Sequence, residues 1–244
     1  DRSPARRSTA WCVIFVHWSA RLRRFPSGAR ERALHKTPRP IIGHVTRANP
    51  PSGGDTVSDS APGHHDDVQA QQMLSYPLGR HQRRDGYTAD ERQAFIAQLA
   101  AQPSALAAAV SGLPDAAYDR PYRPGGWTIR QLVHHVADSH VNMFIRVKLA
   151  LSEDEPTIKP YDQDAWVQHA DVATVAPMVS IAMLAAMHER VVALFRSLSP
   201  EQFARGLMHP ENGRMTIEQV LALYAWHGDH HIAHIRNFRT REQT

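Results

Sequence analysis

One cysteine, Cys12, occurs in the 244 residues, so no internal disulfide can form and a reducing compartment is the expectation. No apolar run approaches the roughly 18 residues of a membrane helix, which argues against a membrane partner. The short apolar block from Trp11 to Trp18 follows arginines, as in a signal peptide. However, Arg21, Arg23 and Arg24 stand where a small-residue cleavage site belongs, so a cytoplasmic protein is expected. Most of the chain also lacks excess positive charge. Residues 1–72 hold 11 Lys and Arg against 6 Asp and Glu, whereas residues 73–244 hold 17 against 18. A balance so close to neutral predicts no nucleic-acid partner for that larger part.

Residues 1–72 show no sustained hydrophobic period and are punctuated by Pro38, Pro40, Pro50, Pro51, Gly53 and Gly54. Such a segment cannot bury enough apolar surface to offset its ordering entropy, so it reads as a disordered tail that need not belong to the natural protein. Met73 stands at its end. Within it, His64-His65-Asp66-Asp67 reads as a solvated linker before a weak metal site.

From residue 73 the pattern is helical. Thr88 with Glu91, Thr128 with Gln131, and Thr216 with Gln219 are capping boxes that open three helices, and Pro177 suits the first turn of another. The predicted helices end near Ser111, Leu151, Leu198 and Arg239. Pro103 predicts a kink or break near Gln102. The stretch from the end of the second helix near Leu151 to Ala176, which contains Pro156 and Pro160, predicts a connection of about 25 residues with at most one short turn, around Asp164 to Gln168. Ser199-Pro200-Glu201 starts a further short helix, and His209 to Gly213 reads as a turn. No strand is predicted. The fold class is therefore all-α, a four-helix bundle over residues 73–244 whose long crossover leaves helices 2 and 3 parallel.

The chemistry concentrates at Trp226-His227-Gly228-Asp229-His230-His231-Ile232-Ala233-His234. His227 and His231 are four apart and share one helical face with Val220, Leu223, Tyr224, Ile235 and Phe238. Two imidazoles where a core wants leucine are costly unless something binds their lone pairs, which a divalent metal does well. A third ligand must come from another helix. His135 lies nearest the inward face of the second, with His140 as the alternative, while His134 points about 100° away. Asp138 and Asp229 are candidates to orient the imidazoles. Arg123, Arg130 and Arg146 are candidates to bind an anion.

The run Pro121-Tyr122-Arg123-Pro124-Gly125-Gly126-Trp127-Thr128-Ile129-Arg130-Gln131-Leu132-Val133-His134-His135-Val136-Ala137-Asp138-Ser139-His140 carries a resemblance. Ile158-Lys159-Pro160-Tyr161-Asp162, the stretch from Tyr224 to Ile235, and Tyr76-Pro77-Leu78-Gly79 share in it. Together they closely resemble the bacillithiol S-transferase branch of the DinB superfamily, earlier labelled metal-dependent hydrolases. The resemblance covers about residues 74–240. It implies an up-down-down-up bundle, frequent dimerisation into a homodimer, and one divalent metal per chain. His135, His227 and His231 match its three histidine ligands, with water at the open position. Zinc is the expected ion, with nickel and manganese as alternatives.

An open three-histidine metal can generate a hydroxide nucleophile or hold a thiol as thiolate. No catalytic base and no cofactor-binding residue stand out. The expected activity is thus transfer of a small-molecule thiol to electrophilic substrates. Hydrolysis is the alternative enzyme, and a metal-stabilised binding module the non-catalytic one.

Overall fold

The computed structural model describes residues 71–243, so the expectations for the tail up to residue 70 lie outside the described residues. Gln71 and Gln72, expected in the tail, belong to helical residues 71–75. Four long helices dominate the bundle: α1 (Ala89–Val110), α3 (Ile129–Ser152), α6 (Pro177–Arg196) and α8 (Ile217–Gln243). Short helices α2 (Asp115–Tyr118), α4 (Gln163–Trp166), α5 (Ala170–Thr174) and α7 (Pro200–Ala204) lie between them.

The expected capping boxes form. Thr88 Oγ1 accepts from Glu91 N at 3.2 Å while Glu91 accepts from Thr88 N at 2.8 Å, and Thr128 with Gln131 repeats the exchange. Thr216 and Gln219 do the same for α8. Each box satisfies two N–H groups that a helix start leaves without partners.

Direction follows from which residues meet. Along α1 and α8, Arg92 pairs with Glu218, Gln102 with Ala225, and Arg239 with Ala109, so these helices run parallel. His134 meets Ser180 and His140 meets His188, so α3 and α6 are parallel too. His135 meets His227 while Arg146 meets Tyr224, so α3 and α8 are antiparallel. The result is an up-down-down-up bundle in which α1 packs on α6 and α8, and α3 closes the square on both. The long crossover of residues 153–176 makes the α3–α6 pairing reachable.

Leu99, Leu132, Val191 and Ile235 are completely buried at the centre. Each such side chain contributes roughly 1.5–3 kcal/mol relative to an exposed one. Helix α6 has the length and composition of a membrane span, with a mean hydropathy of 1.6. Its Ile181, Leu184 and Val191 are buried in the bundle core.

Three expectations need correction. The break expected near Gln102 does not form: the helix is unbroken through Pro103, which lies inside α1. The crossover carries two short helices, α4 and α5, because Asp162 caps Ala165 N at 3.0 Å and Val172 buries against the bundle. A hairpin also exists: β1 (Gly206–His209) pairs antiparallel with β2 (Gly213–Thr216), Leu207 opposite Met215. Its strands are four residues each, too short to display a period of two. Leu207 and Met215 enter the core, and Met208 backbone bonds to Pro156 and Ile158 tie the hairpin to the crossover.

Candidate metal centre

Helix α8 lays His227 and His231 one turn apart on its buried face, and α3 crosses that face with His135. His135 Nε2 lies 3.4 Å from His227 Nε2, and His231 Nε2 lies 3.1 Å from the same atom. The ligand atoms of the three lie within 4.8 Å of one another. Trp127, at the end of the loop before α3, covers His135 with ring centroids 4.7 Å apart. His135 is 2% exposed, His227 9% and His231 8%, so all three ligands are buried.

Burial dictates the charge state. It pushes His135 down to about 3, and it holds His227 and His231 well below the usual histidine range, with neighbouring imidazoles adding to the effect. All three are neutral at pH 7 and offer lone pairs.

This donor set fits a divalent metal. Three ring nitrogens converge on one point, and His227 Nε2 cannot hydrogen-bond well to both neighbours with its single lone pair or proton. Nitrogens about 2.0–2.1 Å from a tetrahedral zinc stand about 3.3 Å apart, close to the two separations seen here.

The other candidates divide. His140 lies behind His227, its Nε2 3.4 Å from His227 Nδ1, and so is outside the converging trio. His134 faces away and bridges Ser180 Oγ at 2.7 Å and the Val175 carbonyl at 3.2 Å. Asp229 does not orient an imidazole as expected: its carboxylate accepts from Gln98 and Gln102 of α1. The Asp138 carboxyl is raised to about 6 by burial and then by Asp171. Arg130 is committed to an ion pair with Asp119 at 2.7 Å, and Arg146 reaches the Tyr224 hydroxyl at 3.4 Å. Arg123 donates to the Pro124 carbonyl and lies over Tyr122.

His230 and His234 form a second pair, Nε2 to Nε2 3.0 Å, and group with His231 within 4.8 Å. This group shares His231 with the trio and so cannot be filled independently of it. His188 and Gln102 escaped the sequence reading. His188 lies four residues after Leu184 and four before Val192, both buried, which is the signal that could have found it.

Residues 98–235 match the DinB superfamily. A Bacillus subtilis protein named "Putative metal-dependent hydrolase YfiT" is 45% identical over 69% of this chain and 95% of its own length. A Bacillus cereus (strain 03BB102) protein named "Putative metal-dependent hydrolase" is 42% identical over 69% of this chain and 96% of its own. The solved structure of YfiT, described as having an unusual four-helix bundle topology, superposes with a TM-score of 0.69 at 44% identity, covering 70% of this chain and 98% of that one. On its bundle, its histidine-bearing helices and these relatives, the chain belongs to the DinB superfamily.

Proposed function

We propose that the chain is a metal-dependent thiol S-transferase, with His135, His227 and His231 as the ligands of one divalent ion, zinc before nickel or manganese. When bound, such an ion supplies a concentrated positive charge and an exchangeable coordination position, which lowers the pKa of a thiol placed there. The three imidazoles contribute lone pairs without charge of their own, so the site's positive charge is not cancelled by its ligands. Trp127 lies over His135 and shields that ligand from water. The thiol proton leaves to solvent, sulfur forms a bond to an electrophilic carbon, and the leaving group departs with its electron pair.

One observation carries the preference for sulfur over water. Among the described residues the converging group is histidine alone, and Asp229, the acid nearest in sequence to both α8 ligands, is turned toward α1 and so is not placed as the base that hydrolysis would use. Hydrolysis is the second reading, favoured by the names of relatives 42–45% identical to this chain.

The test is direct. Zinc-loaded full chain is incubated with a panel of cellular thiols and a haloarene electrophile, and in parallel with ester and amide substrates. Zinc-dependent conjugation that disappears in His227→Ala supports transfer. Zinc-dependent hydrolysis without conjugation by any thiol overturns it.

A further inference from the structure

Three buried imidazoles and one backbone carbonyl form a line across the bundle. His188 Nδ1 lies 2.6 Å from the Leu99 carbonyl oxygen. His188 Nε2 lies 3.0 Å from His140 Nδ1, and His140 Nε2 lies 3.4 Å from His227 Nδ1. The line runs from α1 to α6, α3 and α8, crossing three of the four seams. Its histidines are 2%, 0% and 9% exposed, so water cannot substitute for the contacts.

The polarity of the line is fixed at one end. A carbonyl only accepts, so His188 Nδ1 carries the proton and its Nε2 is an acceptor. His140 therefore donates from Nδ1 and accepts at Nε2. His227 in turn donates from Nδ1, which leaves the lone pair on Nε2, the atom that faces His135 and His231. Every step follows from the one before, because a neutral imidazole has one donor and one acceptor.

Pro103 explains why the Leu99 carbonyl is available. In an α-helix that carbonyl would accept from the N–H of residue 103, and proline has none. The residue that promised a broken helix instead opens an acceptor on α1, and His188 fills it.

We infer that His188 and His140 are positioning residues: anchored on the Leu99 carbonyl that Pro103 leaves free, they lock His227 as its Nδ1–H tautomer and so aim its Nε2 lone pair at the metal. The inference rests on the three-histidine metal reading for its purpose, though not for its geometry. Outer partners of ligating histidines commonly orient the ring and choose its tautomer. Here the partner is a chain of imidazoles that ends on backbone.

The decisive measurement is made on the metal-free, chelator-treated full chain with 15N-labelled histidine. Long-range proton–nitrogen correlation should show His188, His140 and His227 each protonated at Nδ1. An Nε2–H form at any of the three overturns the relay, whether or not the wild type binds metal. Zinc affinity is then titrated against a chromophoric chelator. His188→Leu keeps an apolar side chain but removes donor and acceptor, and should weaken zinc binding about 10–100-fold. His188→Gln, which carries a donor NH2 and an acceptor oxygen, should recover most of that loss. Pro103→Ala returns an N–H to compete for the Leu99 carbonyl, and should weaken zinc binding without loss of helicity. Unchanged affinity in both His188→Leu and Pro103→Ala overturns the inference. Should His188→Leu fail to fold, the ring-nitrogen measurement on the wild type still decides. A wild type that binds no zinc refutes the metal reading alone.

Discussion

His135 Nε2 stands 3.4 Å from His227 Nε2, although 92 positions separate the two residues. Only the antiparallel crossing of α3 on α8 creates that approach, and His231 joins it from one turn further along α8. Each of His135→Ala, His227→Ala and His231→Ala should therefore weaken zinc binding by more than the roughly 10–100-fold typical of outer partners. His230→Ala should do much less, since its Nε2 faces His234 and its ring stacks on Trp226. Zinc per chain after gel filtration measures this. Full metal content in His135→Ala would remove it from the ligand set.

Gln102 occupies the space that any side chain at position 228 would need. A Cβ on Gly228 would lie 2.3 Å from the Gln102 amide, which is 1% exposed and donates to the Ala225 carbonyl at 2.7 Å. Glycine inside α8 gives up about 1 kcal/mol of helix propensity relative to alanine. Overpacking costs typically 1–3 kcal/mol, and the amide would also lose its acceptor. Gly228→Ala is therefore expected to be destabilising in urea unfolding. The same substitution in a Gln102→Ala background should become stabilising. Equal effects in both backgrounds would show that Gln102 yields without cost.

Much of this was legible in the sequence because the signals are local. Capping boxes at Thr88, Thr128 and Thr216 mark helix starts through side chains three residues apart, and the i, i+4 spacing of His227 and His231 states a shared face. The up-down-down-up order was legible from one length, that of the crossover. What escaped depends on tertiary neighbours. The hairpin of Gly206–His209 and Gly213–Thr216 is held by the bundle end and the crossover, which no four-residue pattern encodes. Asp229 looked like an imidazole acceptor by proximity in sequence, yet helix geometry turns it toward Gln98 and Gln102. Pro103 signals a disturbance of its own helix, and its consequence is instead on another helix, at His188.

His134 ties α3 to the start of α6. The Val175 carbonyl accepts from its Nε2–H, so Nδ1 accepts the Ser180 hydroxyl proton. His134→Ala removes both bonds and leaves two polar groups short of partners, a cost of about 1–3 kcal/mol for each that stays buried. Stability should fall in denaturant titration while zinc content stays at the wild-type level, in contrast to the neighbouring His135→Ala. Loss of metal in His134→Ala would show that the α3–α6 tether shapes the site.

Acid should unfold the metal-free protein through its buried histidines. Burial lowers His135 and His234 to about 3 and His230 to about 4, and holds His140, His227 and His231 well below their usual value of 6.5. Between about pH 6.5 and those folded values the unfolded chain binds protons that the folded chain refuses. Stability is then flat above about pH 6.5 and falls as pH drops, each histidine contributing at most about 1.4 kcal/mol per pH unit. Asp138 works in the opposite direction: raised to about 6 from 3.8, it takes up a proton in the folded state first and adds stability on acidification below about pH 6. Asp229, also raised by burial, adds to that term. Six histidines outweigh two carboxylates, so the thermal midpoint followed by circular dichroism in chelator should be constant from pH 8 to 6.5 and decline steadily toward pH 4. Replacing His230 by Gln removes one proton-refusing group and should shallow the decline. A midpoint that holds steady down to pH 5 would mean that the histidine cluster already carries protons in the folded chain, and the neutral-ligand account of the site would fall with it.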